Sequence, residues 1–183
     1  ERQDFEAMSL DYYKDLYKFY GKSHIETVLS YLDLDAYAIK MQSEFDKTSK
    51  DIEKTKAFLE QNPGNVKKEK RLKTDEEYYN SLLKKLSHIE ELKQEYGKEI
   101  PLACCLFVKY GHQIVYLVGS SNYEHRVFRG PYAIQWKMIQ EAIDEGYDLY
   151  NFYGISGYFH KDEEGYGVFD YKRGYNAVVR EYI

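Results

Sequence analysis

The sequence predicts a mixed α/β domain interrupted by a long antiparallel helical hairpin. Three observations carry that prediction. A tyrosine-rich amphipathic segment precedes a β-rich run near the start; a Lys/Glu-dense stretch over residues 36–96 repeats apolar positions in sevens; and after Pro101 short β-rich runs alternate with helical ones. At 183 residues the chain is long enough for one substantial core, or for one core with an appendage.

The elements follow in order. FEAMSLDYYKDLYKFY (5–20) places Phe5, Met8, Tyr12, Leu16 and Phe19 at spacings of three and four, a helix that Gly21 ends. HIETVLSYLDL (24–34) reads as a strand. Met41, Phe45, Thr48, Ile52, Thr55 and Leu59 then form one heptad seam, QNPGN (61–65) breaks it, and Tyr79, Leu82, Leu86, Ile89 and Tyr96 resume it, interrupted at Lys93. Two such helices fold back on each other as a coiled-coil arm over 36–96, projecting on the order of 30 Å. An insertion whose ends lie close together leaves the host domain, 1–35 with 97–183, free to close. LACCLFVKYGHQIVYLVG (102–119) predicts a hairpin turning at Tyr110-Gly111. Pro131 opens a helix with Tyr132, Trp136, Ile139 and Ile143 on one face, closed by Gly146. DLYNFY (148–153) is the next strand, Tyr166 to Arg173 a short helix, and AVVREYI (177–183) a terminal strand.

Composition narrows the function classes. The formal charge of −5 argues against a stand-alone nucleic-acid binder but leaves room for a local basic patch. Such a patch exists: residues 40–98 hold 14 basic against 12 acidic side chains, and the remainder 12 against 19. At the hairpin tip Lys67, Lys68, Lys70, Arg71 and Lys73 face Glu69 alone; a tRNA backbone, an anionic membrane surface or plain solvent would each suit them. Cys104 and Cys105 are the only cysteines, so no disulfide framework is expected and a reducing, cytoplasmic setting fits. LACCLFV reads as a core strand rather than a nucleophile site. No run approaches the ~18 apolar residues of a membrane span, and no signal-peptide pattern occurs. The chain opens on Glu1, as an excised piece of a longer protein would.

Several chemistries find no residues. The histidines at 24, 88, 112, 125 and 160 lack metal-ligand spacing, no Walker-type loop occurs, and Ser156 sits in G-x-S-G rather than a nucleophile elbow. Asp162, Glu163 and Glu164 read as a solvated loop. What remains is DLYNFYGISGYFHKDEEGYGVFDYKRGYNA, where a strand delivers Gly154 to Gly157 to its carboxyl end, the place ligands take in an open α/β sheet. Lys172, flanked by Tyr171 and Tyr175, is by spacing alone an ordinary surface lysine.

YAIQWKMI, YNFYGISG and GVFDYKRGYNA stand in the order and spacing of the patterns YAVQWEMI, YNFYGVSG and GV-x-x-FKKGYNA. Nearly the whole chain thereby resembles the C-terminal acetyltransferase-like (GNAT-like) half of the Fem (FemABX) family, the helical arm included. The resemblance implies an aminoacyltransferase that moves an amino acid from aminoacyl-tRNA to the stem peptide of a peptidoglycan precursor, with no cofactor. It implies that Lys172 stabilises the oxyanion and that Tyr171, where the family has Phe, supplies an aromatic face. Tyr116 matches a groove tyrosine of the family, a core role being equally open, and Gly154, Ser156 and Gly157 become loop contacts. It further implies work at the cytoplasmic face of the membrane, association with related Fem-type proteins, and a first half that this chain lacks. Two other readings stay open: a non-enzymatic tRNA- or partner-binding module, and an ordinary acetyl-CoA-dependent acetyltransferase. Against the latter, RGPYAIQW has Pro131 and Tyr132 where a pyrophosphate loop needs small residues.

Overall fold

In the computed structural model, which describes residues 8–155, 159–163 and 165–180, the elements are α1 (Leu10–Tyr20), β1 (Ile25–Asp33), α2 (Leu34–Gln61), α3 (Val66–Tyr96), β2 (Glu99–Tyr110), β3 (Gln113–Ser121), α4 (Gly130–Asp144), β4 (Leu149–Asn151) and α5 (Tyr166–Arg173). A mixed four-stranded sheet has the order β1-β2-β3-β4, with β2 and β3 antiparallel and β3 and β4 parallel. The chain divides into two compact units, Glu1–Ser30 with Leu102–Ile183, and Tyr31–Pro101.

In the first unit, the side-chain alternation of β2 supplies both cores. Ala103, Cys105 and Phe107 join Ile114 and the α4 residues Ile134, Met138 and Ala142 on one face. Leu106 and Val108 join Ile25 on the other, under Tyr13, Leu16, Tyr17 and Tyr20 of α1. Gly111 turns the β2–β3 hairpin at φ +56°, a conformation in which a Cβ would be strained.

Both amphipathic helices bury largely a different face from the one their sequence spacing suggests, although Leu16 of the expected α1 stripe packs inward and Ile139 of the α4 stripe is half-buried. On α1, Tyr12 and Phe19 are exposed, as is Met8 just before it, whereas Phe5 lies outside the described residues. On α4 the sheet-facing residues are Ile134, Gln135, Met138 and Ala142, and Tyr132, Trp136 and Ile143 point outward, Trp136 at 58% exposure. The cause is the same: tyrosine and tryptophan tolerate a half-solvated site, so a stripe containing them does not decide which face turns inward. Strand β4 is shorter than DLYNFY. Residues 177–180 of the expected terminal strand carry no strand pairing, and 181–183 lie outside the described residues.

In the second unit α2 and α3 run antiparallel around Met41, Leu82 and Ile89, with Phe45 stacked on Tyr79 at 4.6 Å. Buried Thr48 and Thr55 return their hydroxyls to the carbonyls of Glu44 and Asp51, both at 2.8 Å, so seam threonines leave no unpaired hydroxyl. Lys93, where the apolar repeat is interrupted, pairs with Asp35 at 2.8 Å while Leu92 takes the buried place. Asn65 caps α3 by accepting from the Lys68 amide at 3.1 Å.

Candidate active site

The site is built where β4 ends. Asn151 accepts from the Tyr153 amide at 2.8 Å and holds Tyr153 in the left-handed region, φ 61°, turning the chain sharply into Gly154. Helix α5 then carries Lys172 back, and its Nζ donates to the Gly154 carbonyl at 2.6 Å. Nothing crowds the Gly154 α-carbon, so this residue contributes its carbonyl rather than a need for glycine. Lys172 is only 9% exposed and has no carboxylate partner among the described residues. Burial alone pulls its pKa down to about 8.

Aromatic rings wall the lysine. Tyr171 packs edge-on against Tyr132 of α4 at 4.8 Å and against Tyr175 at 5.7 Å. Tyr175 in turn touches Phe152 (5.5 Å), Phe152 touches Tyr150 (5.0 Å), and Tyr150 and Tyr116 both reach Phe107. The polar tips of this cluster are unusually dry. The Tyr150 hydroxyl donates to Gln135 Oε1 at 2.6 Å, yet Gln135 Nε2 is buried without a partner among the described residues, while the Tyr171 hydroxyl faces that of Tyr175. Burial raises the pKa of Tyr116, Tyr150 and Tyr171, so all three stay neutral hydroxyls.

Tyr116 reaches this cluster through a β-bulge. The β2–β3 register slips between Leu106 and Phe107, pairing Leu106 with Val118 but Phe107 with Tyr116. The extra residue, Leu117, re-aims Tyr116 onto the face of Cys105 and Phe107. Its hydroxyl sits against the Cys105 thiol, whose pKa burial pushes up to about 11, the opposite of what activates a nucleophilic thiolate. Gly119 permits this seat: a Cβ there would collide with the Tyr116 hydroxyl and lie 2.9 Å from Cys105 Sγ.

The comparisons bear on this geometry. A family model described as the FemAB family matches residues 1–183. The chain belongs to the FemAB family. It is 36% identical over 183 residues to a protein of Staphylococcus epidermidis named Aminoacyltransferase FemA, covering 100% of this chain and 44% of that protein. It is 34% identical over 172 residues to the Aminoacyltransferase FemA of Staphylococcus aureus (strain MW2), covering 94% of this chain and 41% of that protein. The chain thus spans less than half the length of the curated relatives it matches. The fold is that of a crystal structure of FemX, at a TM-score of 0.72 and 24% identity over 93% of this chain and 43% of that one.

Of the residues singled out in this family's motifs, Tyr171, Lys172 and Gly154 come together, and Tyr116 stands in the same aromatic cluster. Lys172 is not the surface residue that its spacing suggests; burial removes it from solvent. Ser156 and Gly157 lie outside the described residues. The tip cations belong to the other unit. Asn65, Lys67, Lys68, Lys70, Arg71 and Thr74 line a surface depression there; Arg71 is paired with Asp75 at 3.4 Å and Lys68 lies over Phe58, whereas Lys67, Lys70 and Lys73 are exposed with no ion pair among the described residues. Gln135, Tyr132, Tyr150 and Phe152 are site residues that motif reading passed over. The available signal was a glutamine amid apolar helix positions, in YAIQWKMI.

Proposed function

We propose that the chain is the second, GNAT-like half of a Fem-type aminoacyltransferase, carrying α2 and α3 as a coiled-coil arm. The whole protein moves an amino acid from aminoacyl-tRNA to the stem peptide of a peptidoglycan precursor at the cytoplasmic face of the membrane. The observation that carries this reading is Lys172: a buried cation with no carboxylate partner among the described residues, a bond to a backbone carbonyl, and an aromatic wall.

The chemistry needs such a group. A neutral amine of the acceptor adds to the ester carbonyl, a C–N bond forms and the carbonyl electron pair moves to oxygen. The intermediate collapses by breaking the C–O bond to the ribose, and the proton lost from the amine leaves on that oxygen. No enzyme nucleophile takes part. The protein's task is to hold the oxyanion, and a dry ammonium does so more strongly than a solvated one. With a pKa near 8, Lys172 is mostly charged at neutral pH. Tyr171 and Tyr116 shape the cavity around the ester, and Lys67, Lys70 and Lys73 offer a patch for phosphates of the tRNA body or for anionic lipid.

Steady-state kinetics on the full-length protein test this. Lys172→Met should lower turnover by ~10²–10³, the usual loss for one oxyanion donor. Tyr171→Ala should raise the Michaelis constant instead, because a packing face is lost from ground and transition states alike. Calorimetry should detect no binding of acetyl-CoA. Near-normal turnover in Lys172→Met would remove Lys172 from the oxyanion role, and absence of turnover with aminoacyl-tRNA, or micromolar acetyl-CoA binding, would overturn the reading.

A further inference from the structure

Helix α4 carries a glutamine where an apolar side chain would pack better. Gln135 is fully buried on the sheet-facing side of the helix, in line with Ile134, Met138 and Ala142. Its Oε1 accepts from the Tyr150 hydroxyl at 2.6 Å, and its Nε2 has no partner among the described residues. A buried amide with an unmet donor weakens a fold, so packing alone does not account for this residue.

A second anchor lies one helical turn earlier on α4. The Tyr132 carbonyl accepts from the Tyr175 hydroxyl at 3.2 Å. The two anchored tyrosines belong to the two segments that meet at the site. Tyr150 lies on β4, just before the turn into Gly154, and Tyr175 follows α5, just after Lys172. Phe152 bridges them, packing on Tyr150 at 5.0 Å and on Tyr175 at 5.5 Å. The bond from Lys172 Nζ to the Gly154 carbonyl, 2.6 Å, joins the same two segments. Helix α4 therefore acts as a bracket that grips both sides of that bond.

We propose that Gln135 is a positioning residue of the transfer site: through Tyr150 it holds the end of β4 against α5 and so keeps Lys172 in its buried seat. The inference rests on the reading that Lys172 serves aminoacyl transfer. Little else restrains this end of the sheet, because β4 is three residues long and, among the described residues, pairs only with β3. Ring contacts tolerate small slides, whereas a hydrogen bond fixes both distance and angle. The seat can be read from Lys172 itself. Burial lowers its pKa with no contribution from a charged group, and Tyr171 and Tyr175 beside it stay neutral, so its titration reports how well it is shielded from water.

Carbon-13 NMR of the lysine ε-carbons in the chain measures that titration, with Lys172→Met assigning the signal. In wild type the Lys172 midpoint should lie at about 8. Gln135→Met and Tyr150→Phe each keep the shape of the side chain and remove the bond from one side. In both, the midpoint should rise toward the ordinary 10.5. The double variant leaves neither partner orphaned, so it should melt no lower than wild type, yet its midpoint should match those of the single variants. Turnover of the full-length double variant should fall ~10- to 10²-fold, the loss that a displacement of about 1 Å brings, with the Michaelis constant little changed. A purely structural glutamine predicts instead a folded double variant whose Lys172 still titrates at about 8, and that result overturns the proposal. Tyr150→Phe decides the matter in the same way if Gln135→Met does not fold. The two levels separate cleanly. A midpoint that rises in the variants, while wild type shows no turnover with aminoacyl-tRNA, sinks the transferase reading alone. An unmoved midpoint, with an active wild type and an inactive Lys172→Met, sinks this inference alone.

Discussion

The two compact units treat buried polar groups in opposite ways. In residues 31–101 the buried threonines Thr48 and Thr55 bond to the carbonyls one turn back. In the other unit, among the described residues, Ser30 Oγ and Gln135 Nε2 are buried without partners and Lys172 is buried without a counter-charge. Orphaned donors and an unneutralised ammonium cost stability. A helix pair gains nothing by keeping them; an oxyanion site of the kind proposed would.

Truncations sharpen the contrast most. Phe107→Ala removes the ring on which Tyr116 and Tyr150 pack and should destabilise the sheet unit by about 3–5 kcal/mol in urea titration. Leu82→Ala, fully buried in the helix pair, should cost about 2–5 kcal/mol. Replacing residues 36–96 by a short turn tests whether the units are energetically separate: the sheet unit should still unfold cooperatively, and a broad, non-cooperative melt would refute that. Next in size is Gly119→Ala, at about 1–3 kcal/mol for an overpacked site. It should also displace Tyr116, read as a loss of its ring contacts to Phe107 in nuclear Overhauser spectra.

The smallest effect concerns acid. Glu141 is partly buried, which would raise its pKa, but hydrogen bonds from Lys109 (2.5 Å) and Lys137 (2.7 Å) outweigh burial and hold it at about 2. A depressed carboxyl stabilises the fold above its unfolded pKa, and that contribution fades as pH falls through the folded value. Wild type should therefore lose about 1–2 kcal/mol between roughly pH 4.5 and 2, and Glu141→Gln should lack that acid-sensitive part. Identical acid profiles for the two would contradict this.

What was legible in the sequence follows the same division. The seams at Met41–Ile52 and Leu82–Ile89 are repeated patterns whose partners lie in the adjacent helix, so spacing alone locates them. The Tyr110-Gly111 turn, the Pro131 helix start and the Tyr166–Arg173 helix are also local signals. Helix orientation was not legible, because α4 carries apolar residues on two faces and the sheet selects Ile134, Met138 and Ala142. Nor was the bulge at Leu117, which depends on a register between strands. The burial of Lys172 depends on the turn at Tyr153, which no periodicity announces. Family motifs named Tyr171 and Lys172; only three-dimensional packing brings Gln135 and Tyr132 to the site.

On the proposed function, Lys172 is kept buried without a carboxylate partner among the described residues for chemistry, at the expense of stability. The direct measurement is Lys172→Met followed by thermal melts of the chain across pH and by turnover of the full-length protein. Lys172 has a folded pKa near 8 against an ordinary 10.5, so its charge penalises the fold fully below pH 8. The penalty is relieved as pH rises from 8 to 10.5, where the unfolded chain holds the extra proton. The variant should therefore be more stable than wild type at pH 7, by about 2–3 kcal/mol, with the advantage shrinking over that window, while turnover falls by ~10²–10³. A variant that melts lower than wild type at pH 7 and retains its turnover would contradict the account.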